Sequence, residues 1–462
     1  MGLKSFRSGI SKININNKMS DLVIKNSKLV LPEKIVDAGL VIEDGKIKRV
    51  TKDKNLPDAE EIIDARGNYV LPGLIDAHVH FREPGASSKE DWFTGSSAAV
   101  AGGVTTVLDM PNTQPPTTTI RHLNEKREIA RSKAIIDYGF HFGATIDNSD
   151  ELSRLGNDIA SVKFYMSITT GSLIVDNDAV IFEEFGILRD KKILAAVHAE
   201  NHDMVEHWFD RLKEREGVDA LDYANSRPNI CAADALNHMI FLSKMVGNSV
   251  HFCHVSTREE VGILRNSKDN RVTAEATPHH LFLTKRDIKE LGNYSKVNPP
   301  LRSREDQLEL WNAIHSGIID IIATDHAPHL PEEKERDILI ASAGMPGLET
   351  MLPLLLNEVN KGNLTLIELS RLTATNPARI FKIMNKGMIK EGYDADLVII
   401  DLKKEDRVDN SRLFTKCGWS PFDGWKLKGW PIKTLVRGNL VFDEGSIERI
   451  QGKEVAYSKN EG

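Results

Sequence analysis

His78 and His80 stand two residues apart in Asp76-Ala77-His78-Val79-His80-Phe81-Arg82-Glu83-Pro84-Gly85, just after the strand-like run Tyr69-Val70-Leu71-Pro72-Gly73-Leu74-Ile75. On an extended segment, side chains two apart share a face, so both imidazoles can aim at one target. Neutral imidazole is the commonest protein ligand for zinc and its divalent neighbours. An isolated His-x-His also arises by chance, so the pair needs company before it means a metal site.

The elements that would position the pair supply that company. Short apolar, β-branched runs lie near residues 70–78, 103–110, 135–143, 159–165, 193–198, 249–254, 271–276 and 318–324. Helix-like stretches such as Leu123 to Arg131 and Ala232 to Val246 separate them. Eight strands with crossovers predict a (β/α)8 barrel of the TIM type, although a doubly wound sheet would show the same alternation. Barrel active sites collect at the C-terminal ends of the strands. The fourth run carries Lys163. The fifth ends in Val197-His198-Ala199-Glu200, the sixth in His251-Phe252-Cys253-His254, and the eighth in Thr324-Asp325-His326-Ala327-Pro328-His329. Each has an ordinary structural use: a His in a hydrogen-bonded rim, a Lys reaching water, an Asp capping a helix.

Six such residues at five strand ends point to one site. Four His, Asp325 and a bridging anion would hold two metal ions about 3.5–4 Å apart around an activated water. A free ammonium has no lone pair to offer, so Lys163 would serve as the bridge only after capture of CO2 as a carbamate.

Composition bounds the rest. The chain has 462 residues, 40% hydrophobic and 27% charged, ordinary for a soluble globular protein. A net charge of −7 argues against a nucleic-acid backbone binder. No run reads as a membrane span or a secretory leader. Cys231, Cys253 and Cys417 are widely spaced and read as reduced thiols, which places the chain in the cytoplasm. Residues 1–18 carry Lys4, Arg7, Lys12 and Lys18 and no acid, and are expected to be either a disordered extension or the product of an upstream start codon, with Met19 the other natural start. Residues 19–68 and 386–462 hold hairpin signals such as Glu43-Asp44-Gly45-Lys46. They predict one small β-sandwich domain built from both chain ends, with the barrel, residues 69–385, inserted between.

Together these motifs resemble the dihydroorotases of the amidohydrolase superfamily, over essentially all of residues 20–450. Besides the His78 and Asp325 segments, the resemblance rests on Asp109-Met110-Pro111-Asn112-Thr113 and Lys296-Val297-Asn298-Pro299-Pro300-Leu301-Arg302. It implies that His78 and His80 ligate the more buried metal and that His198 and His254 ligate the second. Lys163 would be the carboxylated bridge, and Asp325 both a ligand and the catalytic acid and base. The ions would be zinc. The reaction would be reversible cyclic amide hydrolysis, interconverting dihydroorotate and N-carbamoyl-L-aspartate in pyrimidine biosynthesis.

The substrate carries a carboxylate, and Arg82 is the side chain whose planar fork matches one. The resemblance adds Asn112 and His329 as carboxylate partners and Asn298 as a ring contact. It also admits a homodimer and association with aspartate carbamoyltransferase. Thr169 and Thr170 lie in a Ser/Thr-Gly stretch that a lid would use, and His279 and His280 follow the seventh run. One departure stands out: after Ser226-Arg227-Pro228 the expected Glu is missing or shifted to Asp234, with a structural consequence expected. Allantoinase or dihydropyrimidinase-like activity is the nearest alternative, but Arg82 favours an acidic ring. A metal-free scaffold is disfavoured by the complete ligand set.

Overall fold

The computed structural model describes residues 19–169 and 173–458; the N-terminal extension expected at residues 1–18, and Thr170, lie outside the described residues. Eight parallel strands form the central sheet: β1 (Leu74–Val79), β2 (Val104–Asp109), β3 (Asp137–Gly143), β4 (Ser161–Tyr165), β5 (Ala195–His198), β6 (Val250–Phe252), β7 (Val272–Ala276) and β8 (Ile321–Ile322). Each pairs with its sequence neighbour. The ring is drawn shut where Val79 bridges to His326 and the His80 amide donates to the His326 carbonyl (2.8 Å). The result is a nearly closed (β/α)8 barrel, its strands apolar on both sides because helices cover the outside.

The crossover helices begin where the sequence offers side-chain caps. Asp91, Thr257 and Ser303 each accept from the backbone of the third helical residue, opening helices Trp92–Ala101, Arg258–Ser267 and Arg304–His315. Beneath the site, Phe381 plugs the barrel floor, its ring edge-on to His141 (5.7 Å) and His251 (5.3 Å).

Both chain ends build one mixed nine-stranded sheet. Strands Leu397–Arg407 and Ser20–Val30 flank Tyr69–Pro72, antiparallel and parallel respectively. The run read as one strand near 70–78 is therefore two, and Gly73 is the break. Its amide donates to the Asp396 carbonyl (2.8 Å), and a Cβ there would lie 2.3 Å from Thr105 Oγ1, so no larger residue fits. The last described residues leave the small sheet: the Tyr138 amide donates to the Lys453 carbonyl (3.0 Å), tying the tail to β3. Lys386 joins the two units through Asp137 (2.7 Å) and Asp394 (3.1 Å). Among the described residues no helix is long and apolar enough to cross a membrane.

Glu184, on helix Asp178–Lys191, is buried, with the Ser149 side chain as a polar neighbour that only partly offsets that burial. Burial pushes the carboxyl up to about 8, and the charges of Glu183 and Asp147 push the same way. The folded chain therefore holds a proton that the unfolded chain releases above about pH 4.5, and stability falls as pH rises from there towards 8. Glu184→Gln should raise unfolding stability by roughly 2–4 kcal/mol at pH 8 and change little near pH 4.5, read from urea midpoints at the two pH values.

Candidate active site

The period-two alternation of β1 puts His78 and His80 on the inward face, with ring centroids 5.4 Å apart. Across the barrel mouth, Asp325 Oδ1 lies 3.0 Å from His80 Nε2 and 3.3 Å from His78 Nε2. His198 closes β5, and its Nδ1 is 3.0 Å from His254 Nε2; the His254 ring is 5.4 Å from that of His78. Ligand atoms of His78, His254 and Asp325 all fall within 4.8 Å of one another. Lys163 points inward from β4, fully buried, with Nζ 2.8 Å from Cys253 Sγ. The structure thus brings together the six residues that the sequence pattern singled out.

Holding them there strains the backbone. Arg82, His254 and Asp325 have φ of 60°, 37° and 47°, a region that costs a residue with a Cβ about 1–3 kcal/mol. Three such residues around one cluster mark a geometry that the surrounding packing enforces. Asp76 contributes by accepting from the Thr324 amide (3.1 Å) and hydroxyl (2.5 Å), which clamps β1 to the end of β8.

A second layer fixes the imidazoles. Glu275, on β7, bonds His78 Nδ1 (2.5 Å) and His251 Nε2 (3.1 Å), and accepts from the His254 amide (3.1 Å). Glu200 bonds His198 Nε2 (2.9 Å) and is gripped by Arg227 through both its oxygens (3.1 and 2.5 Å). Asn112 Oδ1 bonds His80 Nδ1 (2.6 Å). Sequence reasoning gave Glu275, Glu200 and Arg227 no role. The available signal was a charged residue inside an apolar barrel strand, Val272-Thr273-Ala274-Glu275-Ala276.

The charge pattern suits a dication. Burial would lower the His78 imidazole, yet the Glu275 and Asp325 carboxylates outweigh it and push it up to about 10. Burial drives His80 down to about 4 and lowers His198 and His254, leaving neutral imidazoles able to ligate. For Asp325, burial opposes ionisation, but His78 and His80 hold the carboxyl well below its ordinary range. Two ionised carboxylates against a cluster of imidazoles fit divalent metal chemistry. Glu275→Gln should weaken divalent-metal binding about 10–100-fold, measured by titrating chelator-stripped protein, because His78 loses the partner that fixes its tautomer.

The cluster floors a cleft whose wall includes Arg82, Asn112, Tyr165, Thr169, Asn298 and Gly344. Arg82 is 5% exposed; its Nε donates to the Pro328 carbonyl (3.2 Å) and its Nη2 meets His329 Nε2 (3.1 Å). Glu83 is instead taken by Lys133 and the Trp92 amide. Among the described residues no carboxylate pairs with Arg82. Asn298 Oδ1 accepts from the Tyr223 hydroxyl (2.8 Å). His329 is fully buried behind Arg82, off the cleft wall. His280 is engaged by Thr277 and the Pro299 carbonyl, and neither it nor His279 lines the cleft. Asp234 accepts from Asn201 (2.7 Å) on the helix side, a structural role.

Residues 69–441, which include every one of these side chains, match the amidohydrolase family. The chain belongs to the amidohydrolase family. Within it, this amidohydrolase is 42% identical to a dihydroorotase of Methanosarcina mazei over 450 residues, covering 94% of this chain and 97% of that protein. It is 37% identical to a dihydroorotase of Pyrococcus furiosus, covering 92% and 94%. Among solved structures it is similar to an L-hydantoinase (dihydropyrimidinase) from Arthrobacter aurescens, with a TM-score of 0.91 and 32% identity, covering 95% of this chain and 100% of that one.

Proposed function

We propose that this amidohydrolase is a dihydroorotase. The observation that carries the reading is Arg82: a buried guanidinium on the cleft wall, beside the metal-ligand cluster, with only neutral partners among the described residues. A neutral-ring amidase has no use for an unpaired cation at that place, whereas an acidic ring supplies its counter-ion. The named relatives support the same reading.

In this reading His78, His80, His198, His254, Asp325 and a carbamate on Lys163 hold two divalent ions, zinc by family likeness. Bound there, such ions supply an activated water and polarise the carbonyl under attack. Asp325 takes a proton at its carboxylate and returns it to the departing ring nitrogen; in the synthetic direction it removes the carbamoyl nitrogen's proton. Arg82 grips the substrate carboxylate, His329 fixes the guanidinium from behind, and Asn112 and Asn298 present amides to the ring. Lys163 reaches the cluster through an apolar strand and meets no carboxylate among the described residues, a setting that favours its conversion to a carbamate anion.

Likeness to hydantoinase structures supports a second reading, hydrolysis of neutral rings. Turnover of L-dihydroorotate, with hydantoin and dihydrouracil alongside, separates the two. Hydrolysis confined to dihydroorotate, lost on chelation and restored by zinc, is expected; activity on neutral rings alone would sink the proposal. For partners we favour a homodimer. Phe241 (59% exposed) and Met245 (65%) lie one turn apart on helix Asn229–Val246 and offer an apolar face to a second copy.

A further inference from the structure

We infer that the Tyr165 hydroxyl is a substrate-positioning donor, aimed at an oxygen of the ring that occupies the cleft. The inference rests on the dihydroorotase reading and adds a contact to it. Strand β4 alternates, so Tyr165 shares the inward face of Lys163, and Lys163 Nζ lies 5.2 Å from the centre of the tyrosine ring. On the other side, the ring centroid is 6.3 Å from that of His198. The side chain is 3% exposed and forms part of the cleft wall together with Arg82, Asn112 and Asn298.

Its hydroxyl is buried and makes no hydrogen bond among the described residues. Buried hydroxyls are normally partnered, because leaving one unpaired gives up its water contacts for nothing. Phenylalanine would fill the same space without that cost, so packing alone gives no reason for the oxygen. A bound ring rich in carbonyl and carboxylate oxygens provides the missing acceptor. The contact is made to the bound ring itself, so it contributes to binding in the ground state and the transition state alike.

The test is Tyr165→Phe in the full metal-loaded protein, with kcat, KM and thermal midpoint all measured on L-dihydroorotate. Expected is a KM raised roughly tenfold, kcat within about threefold, and a midpoint unchanged or higher, since no protein hydrogen bond is lost. Unchanged KM with an active parent chain would overturn the inference and leave the functional reading intact. A loss confined to kcat would move the hydroxyl to the transition state and overturn the positioning role. A lowered midpoint, with kcat and KM both damaged, would make the hydroxyl structural. No turnover by the parent chain would overturn the functional reading, and this contact with it.

Discussion

Asp325→Ala should lower kcat by about three orders of magnitude or more while the chain stays folded. The side chain stands where two tasks meet. Its Oδ1 is 3.0 Å from His80 Nε2 and 3.3 Å from His78 Nε2, so it belongs to the ligand cluster. It also stands on the floor of the cleft, where in the proposed reaction a proton passes to the leaving nitrogen. Under the proposed mechanism, removing it takes away a ligand and the proton carrier together. The fold does not depend on it, because among the described residues its carboxylate contacts run to the two imidazoles and none to backbone. Alanine at a φ of 47° costs of order 1 kcal/mol. Asparagine tolerates that conformation better, so Asp325→Asn separates the tasks. It keeps an oxygen for a metal and cannot carry the proton, and should retain much of the bound metal while losing turnover. Metal content, turnover and thermal midpoint on the same preparations decide the matter. A rate within about tenfold of the parent chain for either variant would sink the acid–base assignment.

Much of this site is legible in the sequence because ligand chemistry needs particular residue types at strand ends. His78 and His80 announce themselves by a spacing of two, and His198, His254 and Asp325 by closing apolar runs. Their partners are harder to see. Glu275 sits in a strand, and a lone acid between alanines has no local signature; its meaning comes from His78, 197 residues earlier in the chain. Glu200 and Arg227, 27 positions apart in the chain, find each other across intervening helix and turn. The positive φ of Arg82, His254 and Asp325 is likewise a tertiary product, since none of the three is glycine.

Fold boundaries follow the same logic. The alternation of strands and helices predicts the barrel. It does not show that Gly73 hands the chain from one sheet to another, because both sides of that glycine are equally apolar. Nor does local pattern reveal that the tail returns to β3, where Gly139 leaves room for Tyr457: a Cβ at that glycine would lie 2.2 Å from the tyrosine oxygen. The eighth run, expected over 318–324, is reduced to Ile321–Ile322, since the chain turns away early to bring Asp325 over the cluster.

Arg82→Met should raise the KM for L-dihydroorotate by about 100-fold or more and lower kcat far less. A charged hydrogen bond in a buried setting contributes about 1.5–3 kcal/mol, and a two-pronged grip on a carboxylate contains two. Methionine approximates the length of the lost stem, so the cleft keeps its shape while the charge disappears. Stability should hold or improve, because the guanidinium is 5% exposed and no carboxylate among the described residues repays its burial. Arg82→Lys is the sharper control: it restores the charge without the fork, and should recover only part of the affinity. Slow hydrolysis of dihydrouracil, if present in the parent chain, should survive both changes, since that ring has no carboxylate to lose. Affinity for dihydroorotate unchanged in Arg82→Met would instead make the guanidinium a support for the Pro328–His329 turn. The case for an acidic substrate would then rest on family likeness alone.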